Sequence, residues 1–178
     1  FGDGTPGTLG LGSTGDILTP TLATTSVTDV VMRGDYTGSS ERGYMMVLKT
    51  DGTVWFAGDN SQGEFGRGNT TNSTSLVQAT SLSGVTVSKI YGGNYESVAV
   101  IDNNNNIYLA GYNGDASMGN GNTTNATSFF QPTGAFQGKV AKVILNGGAV
   151  GGGTGTSILT TDGEVYAAGY SSNGALGL

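Results

Sequence analysis

The chain has 178 residues, 33 of them glycine, with 36% hydrophobic side chains, a net charge of −6 from 13 acidic and 7 basic residues, and neither cysteine nor histidine. Scattered Lys and Arg offer no phosphate-neutralising surface, so no nucleic-acid partner is expected, and without Cys or His there is no disulfide framework and no thiolate or imidazole metal site. No apolar run reaches the roughly 18 residues of a membrane span, no nucleophile-and-base pair stands out, and no enzyme, cofactor or metal is expected.

In chain order, the opening FGDGTPGTLGLG is a Gly-punctuated loop that returns in fuller form downstream. Asp16-Ile17-Leu18-Thr19-Pro20 follows, a short run closed by Pro that suits an outer edge strand. Residues 27–32 and 45–48 read as strands, separated by a long polar loop at 34–43. Asp51-Gly52 is the dipeptide of a two-residue hairpin turn with both central residues at φ > 0. Val54-Trp55-Phe56-Ala57-Gly58 after it is β-branched and aromatic and too short for a helix. The Gly-rich loop to Gly68, the edge run Ser75 to Gln78 and the apolar run 85–91 complete a unit.

The order then repeats. Residues 98–101, the turn Asn103 to Asn106, the strand 107–111, the loop to Gly121, the edge run Phe129 to Pro132 and the strand 140–145 form one copy; 157–159, Asp162-Gly163, 165–169 and the loop to Leu178 begin another. Asn replaces Asp-Gly in the middle copy because Asn tolerates left-handed φ next best to Gly. Ala116 stands where other copies have Gly7, Gly63 and Gly174, so a positive φ there would cost it roughly 1 kcal/mol.

Gly2, Gly58, Gly111 and Gly169 are equivalent and stand 56, 53 and 58 residues apart. Several short strands at that period describe propeller blades; helical solenoid repeats are shorter and show a 3.6-residue apolar period. The chain reads as all-β, about three four-stranded blades with repeats at 1–57, 58–110 and 111–168 and the next beginning at 169–178. Closed propellers have about 4 to 8 blades, so further blades from the same polypeptide or a neighbouring chain are expected to cover both ends.

The pattern carried by Asp51, Gly52, Val54, Trp55, Gly58, Asn60, Gly63, Phe65, Gly66 and Gly68 resembles the repeat of the regulator of chromosome condensation family. Asp162, Gly163, Val165, Tyr166, Gly169, Gly174, Leu176 and Gly177 match it again, and Asp102, Ile107, Tyr108, Gly111, Asn113, Met118, Gly119 and Gly121 more weakly. The resemblance covers essentially the whole chain and implies a propeller, commonly of seven blades. The His-Ser pair usual before the turn is reduced to Ser97, and Ala57, Ala110 and Ala168 replace an aromatic residue.

The segment before the turn varies in length, 17 residues from Gly34 to Asp51, 9 from Gly93 to Asp102 and 14 from Gly148 to Asp162. Loops on a rigid scaffold collect binding residues, and the candidates are Tyr36, Glu41 and Arg42 in the long version with Tyr95 and Glu96 in the next. The loops at 60–63 and 113–116 are assigned to the opposite side. Asp102 to Asn106 reads as a turn and not a calcium loop, since Ile107 stands where Gly is needed. The sequons at Asn69, Asn72, Asn122 and Asn125 read as turn chemistry, Asp59 and Glu64 as solvated loop acids, and the column Trp55, Tyr108 and Tyr166 as blade packing.

Two functions remain. Richness in Gly, Asn, Thr and Ser favours a structural and binding module of an extracellular or virion protein, such as a phage tail fibre or surface adhesin, with a protein or cell-surface glycan as partner. The alternative, implied by the resemblance, is a regulatory propeller that binds a cytosolic or secreted protein, as a GTPase exchange factor or an enzyme inhibitor does.

Overall fold

The computed structural model describes residues 5–37, 40–93, 97–147 and 153–171, with the side chains of 35–37, 40 and 41 outside that description. Among the described residues, eleven strands form three antiparallel sheets. The first holds β1 (Val27–Thr37), β2 (Ser40–Lys49), β3 (Val54–Gly58) and β4 (Ser73–Gln78) in that order. The second holds β5 (Val87–Gly92), β6 (Ser97–Asp102), β7 (Ile107–Gly111) and β8 (Ala126–Phe130); the third, β9 (Val140–Asn146), β10 (Gly155–Thr160) and β11 (Val165–Gly169). The helical element among the described residues is one 3-10 turn, Thr80–Leu82.

Each sheet is a meander in one register, with Met46 opposite Phe56, Ala99 opposite Leu109 and Ser157 opposite Ala167. The sheets stack face to face, which explains why their strands lack hydrophobic-polar alternation. Successive residues of β6 point to opposite faces, and all six are buried because each face meets a neighbouring sheet. One core, centred on Tyr44, Met46, Phe56, Phe65, Val98 and Val100, fills the space between the first two sheets. A second, with Ala99, Ile101, Leu109, Met118, Val143 and Ile158, lies between the second and third.

The outermost faces show what a further neighbour does. Val54 and Ile107 are 1% and 0% exposed, whereas Val165 in the same column is 68% exposed. Val30, in the first strand of the first sheet, is 52% exposed against 4% and 2% for its counterparts Ile90 and Val143.

Three sequence expectations are corrected. Residues 34–37 and 40–43 are strand and not loop: β1 and β2 continue through them, with Gly34 opposite Gly43, Asp35 opposite Arg42, Tyr36 opposite Glu41 and Thr37 opposite Ser40. Their backbone groups pair with each other where side-chain pattern gives no sign. The Asp51-Gly52 turn is also different, because Gly52 takes φ 80° while Asp51 does not take a positive φ, and Gly52 N–H donates to Lys49 O at 3.0 Å. This is a three-residue loop ending in a left-handed bulge residue. Asn105 (φ 59°) and Gly163 (φ 87°) fill Gly52's place, so Asn104 corresponds to Asp51, and Asp102 to Lys49. Finally, Asp16 to Pro20 forms no strand among the described residues, and Leu18 is 89% exposed.

Ala116 does take φ 56°, at the position where Gly7 and Gly63 take 106° and 89°. A Cβ on Gly63 would stand 2.6 Å from Thr127 Cα, a backbone atom that cannot give way. Exchanging the two residues should therefore act in opposite directions. Ala116→Gly removes a left-handed penalty of about 1–2 kcal/mol against about 0.4–1 kcal/mol of added unfolded-chain entropy, and should gain about 0.5–1 kcal/mol. Gly63→Ala should lose about 2 kcal/mol through collision and strain. Denaturant midpoints of the two variants check both signs.

Candidate partner-binding face

Antiparallel order decides which loops share a side. The hairpin ends β1–β2, β5–β6 and β9–β10 emerge on one side, and so do the β3–β4 and β7–β8 loops, because β3 runs back to the level of Gly43 and Tyr44, where Gly58 pairs. The loops at 60–63 and 113–116 thus lie beside the variable hairpins and not opposite them. The other side carries the tight turns after β2, β6 and β10 and the connection containing the 3-10 turn.

Side chains of one blade hold the hairpin of the next. Asp115, in the β7–β8 loop, accepts from Thr154 N–H at 2.8 Å and from Thr154 Oγ1 at 3.0 Å, fixing the start of β10. Tyr44 Oη donates to the carbonyls of Gly93 (3.3 Å) and Ser97 (3.4 Å), and Arg33 Nε to Gly92 O at 3.0 Å. Two residues of the first blade therefore grip both ends of the β5–β6 connection. Asn125 Nδ2 donates to Gln62 Oε1, tying adjacent β3–β4 and β7–β8 loops. The face is a stapled rim.

Inside each long loop one Asn is fully buried. Asn60 Nδ2 donates to Asn69 O (3.1 Å) and Thr71 O (3.2 Å), its Oδ1 accepts from Phe65 N–H (2.8 Å), and its own N–H reaches Asn72 Oδ1 (2.8 Å). Asn113 repeats the set with Asn122 O, Thr124 O, Met118 N–H and Asn125 Oδ1. The sequon residues are thus engaged as hydrogen-bonding partners of the loop, in agreement with the turn reading. Asp59 and Glu64 are buried at 5% and 0%, not solvated. Asp59 accepts from Ser61 Oγ at 2.9 Å and Glu64 Oε2 from Gln62 N–H at 3.0 Å, so both carboxylates serve the loop's own turn.

Of the candidate residues, Tyr36 is the backbone pairing partner of Glu41 in the β1–β2 register, and Arg42 lies one pair further in, half-buried. Tyr95 and Glu96 lie outside the described residues.

No protein-family model matches the chain. Its structure is similar to that of human WBSCR16 (TM-score 0.62, 19% identity, 82% of this chain and 33% of the other). It is similar also to yeast RCC1 (Prp20) in its crystal structure bound to Kap60 (TM-score 0.56, 16%, 71% and 27%) and to Prp20p from Saccharomyces cerevisiae in a study of its binding to Gsp1p and histones (0.56, 16%, 76% and 32%). The chain folds as RCC1-type propeller blades. It spans about a third of the length of these matched proteins.

On the opposite side of the RCC1-type blades the acidic groups are committed to turns. Asp102 Oδ1 accepts from the N–H groups of Asn104 (2.8 Å) and Asn106 (2.9 Å), and its Oδ2 from Asn106 Nδ2 and Tyr108 Oη. That carboxylate holds its own turn, and among the described residues no three acidic side chains gather into a metal site. The aromatic column is half-buried packing: Trp55 donates to Thr53 Oγ1, and Tyr166 meets Phe136 edge-on at 5.2 Å.

Asp162 is bridged to Lys139 at 2.8 Å and accepts from Thr160 Oγ1; these hold its carboxyl down to about 2 from an ordinary 3.8, the Lys139 hydrogen bond first. A depressed carboxyl stabilises the fold above its unfolded value and loses that contribution as pH falls through the folded one. The contribution should be whole above about pH 4 and vanish toward pH 2. Carboxyl chemical shifts should titrate near 2 for Asp162 and move upward in Lys139→Ala.

Proposed function

We propose that this chain is part of a non-enzymatic propeller that binds a protein partner through the side bearing the β1–β2 hairpin. The observation that carries the reading is the rim itself. Arg33, Tyr44 and Asp115 fix successive hairpin bases, while β1 and β2 extend past them as a paired ribbon from Gly34–Gly43 to Thr37–Ser40. A preorganised surface loses little entropy on association, and Tyr and Arg are residue types that dominate interface energies. Partners named for the matched structures, Kap60, Gsp1p and histones, are proteins. Composition alone supports the other reading, an extracellular or virion display module with a glycan partner.

The test places a photoreactive side chain at position 42 or, on the other side, at position 104. Protein adducts should form from 42 and should fall about thirtyfold in apparent affinity with Tyr36→Ala. Equal adducts from 104, or capture of glycan alone from 42, would overturn the proposal.

A further inference from the structure

On the side away from the rim, each tight turn holds the aromatic side chain of its blade's column: Trp55 donates to Thr53, Tyr108 to Asp102 and Tyr166 to Glu164. The copies differ in how charge is balanced there. Thr50 N–H donates to Ser26 O at 2.9 Å, Asn103 N–H to Thr86 O at 3.0 Å and Thr161 N–H to Lys139 O at 2.8 Å, so Ser26, Thr86 and Lys139 are equivalent, and Val85 corresponds to Thr25. In the first blade Lys49 fills the place between these groups. Its Nζ stands 5.6 Å from the centroid of the Trp55 ring and donates to Thr24 Oγ1 at 2.6 Å and to Thr25 O at 3.3 Å. In the third blade Lys139 supplies the ammonium, paired with Asp162 at 2.8 Å.

The second blade keeps this frame and carries neither lysine. Asp102 stands in the place of Lys49, and Thr86 in that of Lys139. An open polar cleft of ≈ 300 Å³ lies there, its walls including Val85, Asp102, Asn103, Asn104, Asn106 and Tyr108 and no Lys or Arg among the described residues. Asp102 is 5% exposed, and its donors are all neutral: the N–H groups of Asn104 and Asn106, Asn106 Nδ2 and Tyr108 Oη. Buried carboxylates are ordinarily paired with a cation. Burial first, then the charge of Asp102, holds the Tyr108 hydroxyl above its ordinary value, so it stays a donor. Asn103 and Asn104 engage the turn through backbone N–H, and among the described residues their carboxamides carry no hydrogen bond.

We propose that this cleft binds a primary alkylammonium group from outside the chain, seated against Tyr108 as Lys49 Nζ is against Trp55. An ammonium has three donors to place, and Val85 O and the carboxamide oxygens of Asn103 and Asn104 are the acceptors. Asp102 supplies the opposing charge, and the ring of Tyr108 adds cation–π attraction. The turn is pinned at both ends, by Asn103 N–H on Thr86 O and by Val140 N–H on Asn105 O, both at 3.0 Å, so the site is formed before the guest arrives. An excess of 13 acidic over 7 basic residues favours the approach of a cation. The cleft is separate from the rim proposed above, and neither reading depends on the other.

The test titrates the full chain with n-butylammonium chloride at constant ionic strength, with n-butanol as the neutral isostere, and follows backbone and carboxamide NMR signals. Expected are saturable shifts at Asn103, Asn104, Asn106 and Tyr108 with the ammonium and none with the alcohol. Asp102→Asn, which removes the charge and keeps the shape, should weaken binding by about tenfold or more. Thr86→Lys should weaken it similarly, because it brings the chain's own ammonium to the cleft from an exposed position where the third blade carries Lys139. Two further probes separate the sources of the guest, cadaverine for a free amine and acetyl-Gly-Lys-Gly-amide for a protein lysine, and the tighter of the two assigns it. Equal shifts from n-butanol, no binding at millimolar concentration, unchanged affinity in both variants, or shifts confined to the rim hairpins would overturn the proposal.

Discussion

Phe56→Ala should destabilise the chain by about 4 kcal/mol, because deleting a fully buried aromatic ring removes its transfer free energy and leaves a cavity that collapses only in part. Phe56 is 0% exposed, stacks on Phe65 at 5.2 Å and meets Tyr44 and Phe129 at 6.3 Å. The ring therefore joins three strands and the long loop across two blades. Against a total stability of about 5–15 kcal/mol for a domain, this loss is large. Phe56→Leu should cost much less, about 1–1.5 kcal/mol, since the next repeat places Leu109 in the same column and keeps it buried at 1%. Denaturant unfolding should show a lower midpoint at unchanged slope in both variants. If the alanine variant unfolds within about 1 kcal/mol of the parent, the blade interface is not the cooperative core described here.

The same columns explain what could be read from the chain and what could not. Val54 and Ile107, or Asn60 and Asn113, announce themselves because each recurs in a fixed frame, and a residue that must fill one place between stacked sheets tolerates little variation. The β1–β2 ribbon gave no such signal. Residues 34–37 pair with 40–43 through their backbones, and polar, Gly-rich sequence carries no alternation to mark a strand. Asp102 was misplaced by two positions because the turn it precedes contains no Gly, and Asn105 takes the left-handed place instead. The sidedness of the loops was recoverable: four antiparallel strands put the first and third connections together whatever their sequence. Arg33, Tyr44 and Asp115 have no residue of the same type at the equivalent places of the other copies, so no repeat marks them as the residues that grip neighbouring hairpins. Tyr36 and Arg42 stand out by residue type, and the structure brings both to the β1–β2 ribbon.

Asn60→Ala should cost about 3 kcal/mol, more than a typical single substitution. The side chain bridges Asn69 O, Thr71 O and Phe65 N–H from a position with no solvent exposure. Truncation leaves the buried Phe65 N–H without its acceptor and deprives two carbonyls of their donor. Each orphaned buried group costs about 1–3 kcal/mol, whereas a made hydrogen bond nets about 1 kcal/mol. Asn60→Asp separates the two halves of the role. It keeps an oxygen for Phe65 N–H but faces two carbonyl oxygens with a carboxylate, so it should also be destabilising, and increasingly so as pH rises above the carboxylate range. Asn113→Ala provides the internal control, since Asn113 makes the corresponding bonds to Asn122 O, Thr124 O and Met118 N–H. Amide exchange gives the local readout: protection at Phe65 should be lost in Asn60→Ala and at Met118 in Asn113→Ala, each without the other. Because Gly66 and Gly68 follow directly and hold the next blade through Ser81 and Thr127, the loss should also loosen the junction between the first two blades. Retained protection at Phe65 would show that the loop is held by its glycine turns and not by the buried Asn.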